Sequence, residues 1–266
     1  MLAGLSTRTL TSVFVVLVAG VLVYAPSPVL TVVLLGLAAV ALIEMYGLLS
    51  ARGPQLPVPL GLALVALLVL SAADARRSLL DVGVFLTGAA PLVWAMYKGP
   101  RPDGLVLWAF SAAGALYVGW PLAHMELLRY LPDGREWLIL AITVTWATDT
   151  GAYLAGSFFG RRKLAPAISP GKTVEGALGG LALTTLVGGL VGWVVGLDLS
   201  VLGLALVSLV LSVLGQVGDL AESYIKRVAG VKDSGRLLPG HGGLLDRIDG
   251  LLWVVVATYY LAAMVL

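Results

Sequence analysis

The 266 residues are 59% hydrophobic and only 12% charged, with a mean hydropathy of +0.98. Soluble domains carry about 25% charged residues, so the composition excludes an ordinary soluble globule, a disordered chain and a small disulfide-stapled module. The 33 glycines follow no three-residue period, which excludes collagen, and the absence of cysteine removes thiol chemistry, disulfides and Cys-zinc sites.

A helix needs about 20 predominantly apolar residues to cross roughly 30 Å of hydrocarbon. That ruler predicts nine spans, at Leu10–Ala25, Pro28–Ser50, Pro57–Ala73, Ser78–Tyr97, Gly104–His124, Glu136–Phe159, Thr173–Leu197, Ser200–Gly218 and Ile248–Leu266. The first and third are short, so eight or ten spans stay open. The runs are continuously apolar rather than alternating at period two, which argues against a β-barrel. The first run ends in Tyr24-Ala25-Pro26, a poor cleavage site, and reads as an uncleaved helix. The fold class expected is an all-α polytopic integral membrane protein.

Charge sidedness gives an orientation. With nine spans, the loops after odd-numbered spans hold Arg76, Arg77, Arg129 and Arg135, and the other 13 of the 17 Lys and Arg residues fall on the opposite side. The positive-inside rule then predicts a cytoplasmic N-terminus and an external C-terminus. Two regions follow: residues 1–135 with five spans, and residues 136–266 with four spans and the cytoplasmic loops 160–172 and 219–249. The first region is nearly featureless, and its Glu44 reads as structural.

The second region carries the chemistry. If the eighth span continues as a helix past Gly218, then Asp219, Glu222 and Lys226 share one face, with Gln216 before them. After the turn Pro239-Gly240-His241-Gly242-Gly243, Asp246 and Asp249 stand three apart as the ninth span begins. Carboxylates converging from two helices would repel one another, and a bound divalent cation resolves this. Oxygen donors favour Mg²⁺ over zinc. The ligands expected are Asp219, Asp246 and Asp249, with Asp149 and Glu222 behind them. Lys226, Arg227, Lys232 and Arg247 are interleaved, and acids holding a cation beside bases are recurrent machinery for phosphoryl or nucleotidyl transfer. Asp149 lies inside the sixth span, where a carboxylate costs at least ~2.5 kcal/mol and therefore has a partner or a task.

Ser169, Lys172 and Thr173 precede the seventh span and suit an anion site at a helix N-terminus. A P-loop is excluded, because the glycine its pattern requires at position 166 is Pro166, and no strand is expected there. In the seventh span Gly176, Gly180, Thr184, Gly188, Gly192 and Gly196 recur every four residues, a stripe for close helix approach rather than for chemistry.

The string Ser223-Tyr-Ile-Lys226-Arg227, then Lys232-Asp233-Ser-Gly235, then Leu238-Pro239-Gly-His241-Gly-Gly-Leu-Leu-Asp246-Arg247-Ile-Asp249 resembles the signature of the phosphatidate cytidylyltransferase (CDP-diacylglycerol synthase) family. Asp149-xxx-Tyr153, Ser169-Pro-Gly-Lys172-Thr173-xx-Gly176 and Gly218-Asp219-Leu-xx-Ser223 fit the same family, although many relatives are more basic, often with a second Lys, at position 171. The resemblance implies CTP and phosphatidate as substrates, CDP-diacylglycerol and pyrophosphate as products, and a homodimer in the cell membrane. It also implies paired metal sites for Mg²⁺ and a second cation such as K⁺. On this expectation Asp219, Asp246, Asp249 and Lys226 are catalytic. Lys172, Thr173, Ser169, Ser223, Arg227, Lys232, Arg247 and His241 then contact substrate. A CTP-dependent polyprenol or phytol kinase is the rival enzyme, and a transporter using Asp149 is the rival of another class.

Overall fold

The computed structural model describes residues 15–73, 77–235, 237 and 242–265. His241, Arg236, Arg76, Arg8 and the start of the first predicted span lie outside the described residues. Among those described there are nine helices: α1 Val15–Tyr24, α2 Ser27–Ser50, α3 Val58–Ala73, α4 Arg77–Tyr97, α5 Gly104–Leu128, α6 Gly134–Phe159, α7 Val174–Val194, α8 Val201–Ala229 and α9 Leu245–Val265. Seven are long and apolar enough to cross a membrane, while α1 and α3 are shorter. The protein is a polytopic all-α membrane protein, as expected from sequence. In hydrocarbon every backbone polar group must be satisfied within the chain, and continuous helices do this.

Two regions differ from the sequence expectation. The predicted loop 160–172 contains two strands, β1 Lys163–Ala165 and β2 Ser169–Thr173, paired antiparallel with Lys163 opposite Thr173 and Ala165 opposite Ser169. Pro166 and Ala167 make the reversal, and Ile168 N–H donates to the Ala165 carbonyl at 3.1 Å. The predicted loop 219–249 is helical at both ends, since α8 runs on to Ala229 and α9 begins at Leu245. There α8 stops where Gly230 takes φ +80°, and Val231 N–H closes onto the Lys226 carbonyl at 3.0 Å, a glycine-dependent helix end.

The chain divides into two compact units. One comprises the described residues up to Leu127 together with those of Ile225–Arg247. Within it Tyr46 packs against Gly61 of α3 and Gly114 of α5, where a Cβ would come within 2.6 and 2.9 Å of the ring. The Tyr46 hydroxyl donates to the Ser111 carbonyl at 2.7 Å, so a buried O–H is satisfied. In α5 the fully buried Glu126 accepts from Ser27 Oγ at 2.6 Å and Thr31 Oγ1 at 3.2 Å.

The other unit comprises Leu128–Tyr224 and Ile248–Leu266. The predicted stripe of α7 is its packing face: Gly176, Gly180, Thr184, Gly188 and Gly192 are all buried. Added methyls at Gly176 and Gly180 would meet the α6 carbonyls of Ala152 and Thr148 at 2.8 and 2.9 Å. At Gly192 one would meet Leu204 of α8 at 2.8 Å. Small residues thus let α6 and α8 approach α7 backbone to side chain. The Thr148 hydroxyl fixes the register, lying 2.9 Å from Thr184 Oγ1, 2.8 Å from Ser212 Oγ and 2.8 Å from the Val144 carbonyl.

Candidate active site

Within the second unit a cavity of about 390 Å³ opens between α6, α7 and α8 beside the β1–β2 hairpin. Its size suits a small-molecule ligand. Thr148, Asp149 and Tyr153 line it from α6, Lys172 and Thr173 from the end of β2, and Gln216 and Asp219 from α8. The hairpin is folded back onto the start of α7 by Glu175, whose carboxylate accepts from the backbone N–H of Arg161 at 3.0 Å and of Arg162 at 3.1 Å. Thr173 then caps α7, its Oγ1 accepting the Gly176 N–H at 3.1 Å. Capping threonine and strand end together aim the Lys172 side chain, which reaches Asp219 with Nζ–Oδ2 2.6 Å. The segment after α6 and the C-terminal part of α8 therefore meet at the same end of this unit.

Around this ion pair the unit gathers negative charge. Glu222 is fully buried one turn along α8, and Ser223 Oγ lies 3.4 Å from Asp219 Oδ1. Asp249, in the first turns of α9, feels the charges of Asp219, Glu222 and Asp149. Its Oδ1 accepts the Gly250 N–H at 2.7 Å. Gln216 donates to the Ala177 carbonyl at 3.2 Å, which fixes its amide at the cavity wall. Asp149, Asp219, Glu222 and Asp249 bring four carboxyl groups into this partly desolvated place, and oxygen donors of this kind suit a hard divalent cation. Among the described residues, however, no three His, Asp or Glu side chains already enclose a metal position.

The first unit holds a separate constellation. Lys226 Nζ contacts Asp246 Oδ1 at 2.6 Å with both side chains largely buried. Asp246 Oδ2 accepts the Ser234 N–H at 3.0 Å and the Gly243 N–H at 2.8 Å. The carboxylate is thus saturated with a cation and two backbone donors, the environment of a group that organises a turn. Arg227 donates to the Val231 carbonyl at 3.0 Å, while Lys232 and Arg247 are exposed. Asp246 and Asp249, which the spacing placed on one helix face, have different bonded partners: Lys226, Ser234 and Gly243 for Asp246, and Gly250 for Asp249. Ser169 lies on β2 rather than on a helix and does not line the cavity.

The family model described as the cytidylyltransferase family matches residues 6–265, nearly the whole chain. The chain belongs to the cytidylyltransferase family. A curated phosphatidate cytidylyltransferase of Bacillus subtilis (strain 168) is 34% identical over 270 residues, covering 99% of both chains. That of Brucella suis is 40% identical over 197 residues, covering 71% of this chain and 67% of its own. A third, from Staphylococcus haemolyticus, is 46% identical over 147 residues, covering 55% of this chain and 56% of its own. Of the residues expected from sequence in this cytidylyltransferase-family chain, Asp149, Lys172, Thr173 and Asp219 line the cavity, whereas the hairpin that carries Lys172 was not expected. The signal for it was Pro166 between two short runs, the mark of a reversal.

Proposed function

We propose that this chain transfers the cytidylyl group of CTP to phosphatidate, giving CDP-diacylglycerol and pyrophosphate for phospholipid synthesis. The observation that carries the reading is the cavity in which Lys172 of the hairpin meets Asp219 of α8, in a chain aligned end to end with a bacterial phosphatidate cytidylyltransferase. A cavity beside a polar hairpin in an apolar helical unit admits a water-soluble nucleotide while acyl chains stay in lipid.

The phosphate of phosphatidate is ionised near neutral pH, so no strong general base is required. One of its oxygens attacks the α-phosphorus of CTP in line, a new P–O bond forms, and the bond to the bridging β-phosphate oxygen breaks to release pyrophosphate. Catalysis is then positioning and charge neutralisation. Lys172 neutralises phosphate oxygens at the cavity mouth, and Thr173 and the first N–H groups of α7 hold an anion there. Lys226, Arg227, Lys232 and Arg247 supply further positive charge for phosphate groups. Asp219 and Asp249, with Asp149 and Glu222, would hold Mg²⁺ and a second cation such as K⁺. When bound, such cations offset the charge that develops on the leaving group. Asp246 keeps Lys226 in place.

The reading includes a cytoplasmic N-terminus, a site on the cytoplasmic face of the cell membrane where CTP is available, and a homodimer. Supplying CTP labelled at the α-phosphate together with phosphatidate tests the reaction: the label should pass into lipid. Transfer of a γ-phosphate label instead would establish a lipid kinase, and solute flux without nucleotide would establish a transporter.

A further inference from the structure

We infer that Glu44 of α2 is a positioning residue for this reaction, clasping both ends of the polar segment between α8 and α9; the inference rests on the proposed transfer for its activity readout. The Glu44 carboxylate accepts from Ser234 Oγ at 3.1 Å, from Leu244 N–H at 3.0 Å and from Leu245 N–H at 2.8 Å. Leu245 begins α9 and Leu244 immediately precedes it, so their N–H groups are among the orphan donors of a helix start. Leu244 stands at the capping position and has no side-chain acceptor. The cap is supplied instead from about 200 positions away in sequence, by a carboxylate whose charge also suits the positive end of the helix dipole.

Two glycines make room for it. A Cβ on Gly235 would collide with Glu44 Oε1, and one on Gly243 would approach Glu44 Oε2 to 2.5 Å. Asp246 grips the same two ends through the Ser234 and Gly243 N–H groups. Ser234 is thereby held between two carboxylates, one from α2 and one from α9, and the Gly243–Leu244 step is bonded by Asp246 at its first N–H and by Glu44 at its second. Asp246 in turn holds Lys226. Loss of Glu44 frees the shared anchor of the segment without touching Lys226 or Asp246 directly.

The test is a double-variant cycle in the full-length, detergent-solubilised protein, with activity expressed per folded enzyme. Glu44→Ala and Gly235→Ala should each lower kcat at least tenfold. The double variant should be no worse than Glu44→Ala, because the added methyl then has space. Glu44→Asp should recover part of the activity, and Glu44→Gln less, since its amide N–H would face donors. Hydrogen exchange of the peptide covering Gly242–Gly250 should quicken in Glu44→Ala. Wild-type kcat in a Glu44→Ala protein whose exchange has quickened would reduce Glu44 to a structural cap and overturn the inference. Multiplicative losses in the double variant would overturn it as well. If the wild-type protein makes no CDP-lipid, the proposed function fails, while the exchange result still reports on whether Glu44 clasps the segment.

Discussion

Lys172, the penultimate residue of a short surface strand, sits 2.6 Å from Asp219, a helical residue that lines the same cavity. The pair stands within an acidic surround, since Asp219 also bears on Asp249. A cation placed there lowers the repulsion among the acids and presents a donor where phosphate would enter.

Lys172→Ala should therefore reduce kcat/KM for CTP roughly 10- to 100-fold, the size of losing one charge-assisted contact of about 1.5–3 kcal/mol. Steady-state kinetics at saturating phosphatidate measure this. Lys163→Ala, on the exposed face of the same hairpin, should change kcat/KM by less than about twofold, as surface charges usually do. Equal losses in the two variants would remove Lys172 from the site.

Asp246→Asn should abolish turnover in a protein that still inserts and folds. Asn keeps an oxygen for the backbone donors but turns an N–H₂ toward Lys226, whose ammonium loses its counter-charge. Breaking a buried pair of this kind costs about 3–5 kcal/mol of stability, and because Lys226 is then displaced from its position kcat should fall at least ~100-fold. Circular dichroism and size-exclusion behaviour should stay as in the parent protein. Residual activity above about a tenth would separate Asp246 from function.

The stripe of α7 predicts where bulk is forbidden. A Cβ on Gly151 of α6 would lie 2.7 Å from the Gly179 carbonyl, a backbone atom that cannot swing away. Gly151→Leu should thus cost several kcal/mol, above the ~1–3 kcal/mol usual for overpacking, and sharply lower the folded yield. Gly36→Leu in α2, with nothing within 4 Å, should leave thermal stability near that of the parent.

Much of this architecture was legible in sequence because a bilayer imposes one dominant constraint, a run of about 20 apolar residues. The four-residue glycine repeat of α7 likewise announced its buried face, since small side chains at that spacing have one use. The hairpin left a weaker mark: Lys163–Thr173 is short and lacks the alternation that signals a strand, so only Pro166 between two short runs pointed to a reversal. The contacts of Glu44 were not legible because its partners, Ser234, Leu244 and Leu245, are remote and two of the three bonds go to backbone N–H groups. No pattern of side-chain types records a bond to the main chain. Asp246 and Asp249 show the same limit, since equal spacing on one helix does not specify what each carboxylate meets.

Magnesium dependence should distinguish those two acids. Asp249 shares its surroundings with Asp219, Glu222 and Asp149, whereas Asp246 is occupied by Lys226 and two N–H groups. Asp249→Asn should raise the Mg²⁺ concentration for half-maximal activity about tenfold, the effect of weakening binding by ~1.4 kcal/mol. Chelation should stop the parent enzyme, and added Mg²⁺ should restore it. An Asp249→Asn enzyme with an unchanged Mg²⁺ requirement would place the cation elsewhere.

The cysteine-free sequence offers a direct test of orientation. A single cysteine introduced at exposed Lys163, on β1, should react with a membrane-impermeant maleimide only after the cytoplasmic side is opened. One at exposed Tyr130, between α5 and α6, should react in intact cells. The two positions flank α6, a 26-residue helix of about 39 Å at 1.5 Å per residue, long enough to put them on opposite faces. By the positive-inside rule, the excess of Lys and Arg on the Lys163 side predicts a cytoplasmic position for that face. Labelling of Lys163→Cys from outside would invert the topology and deny the cavity its access to CTP.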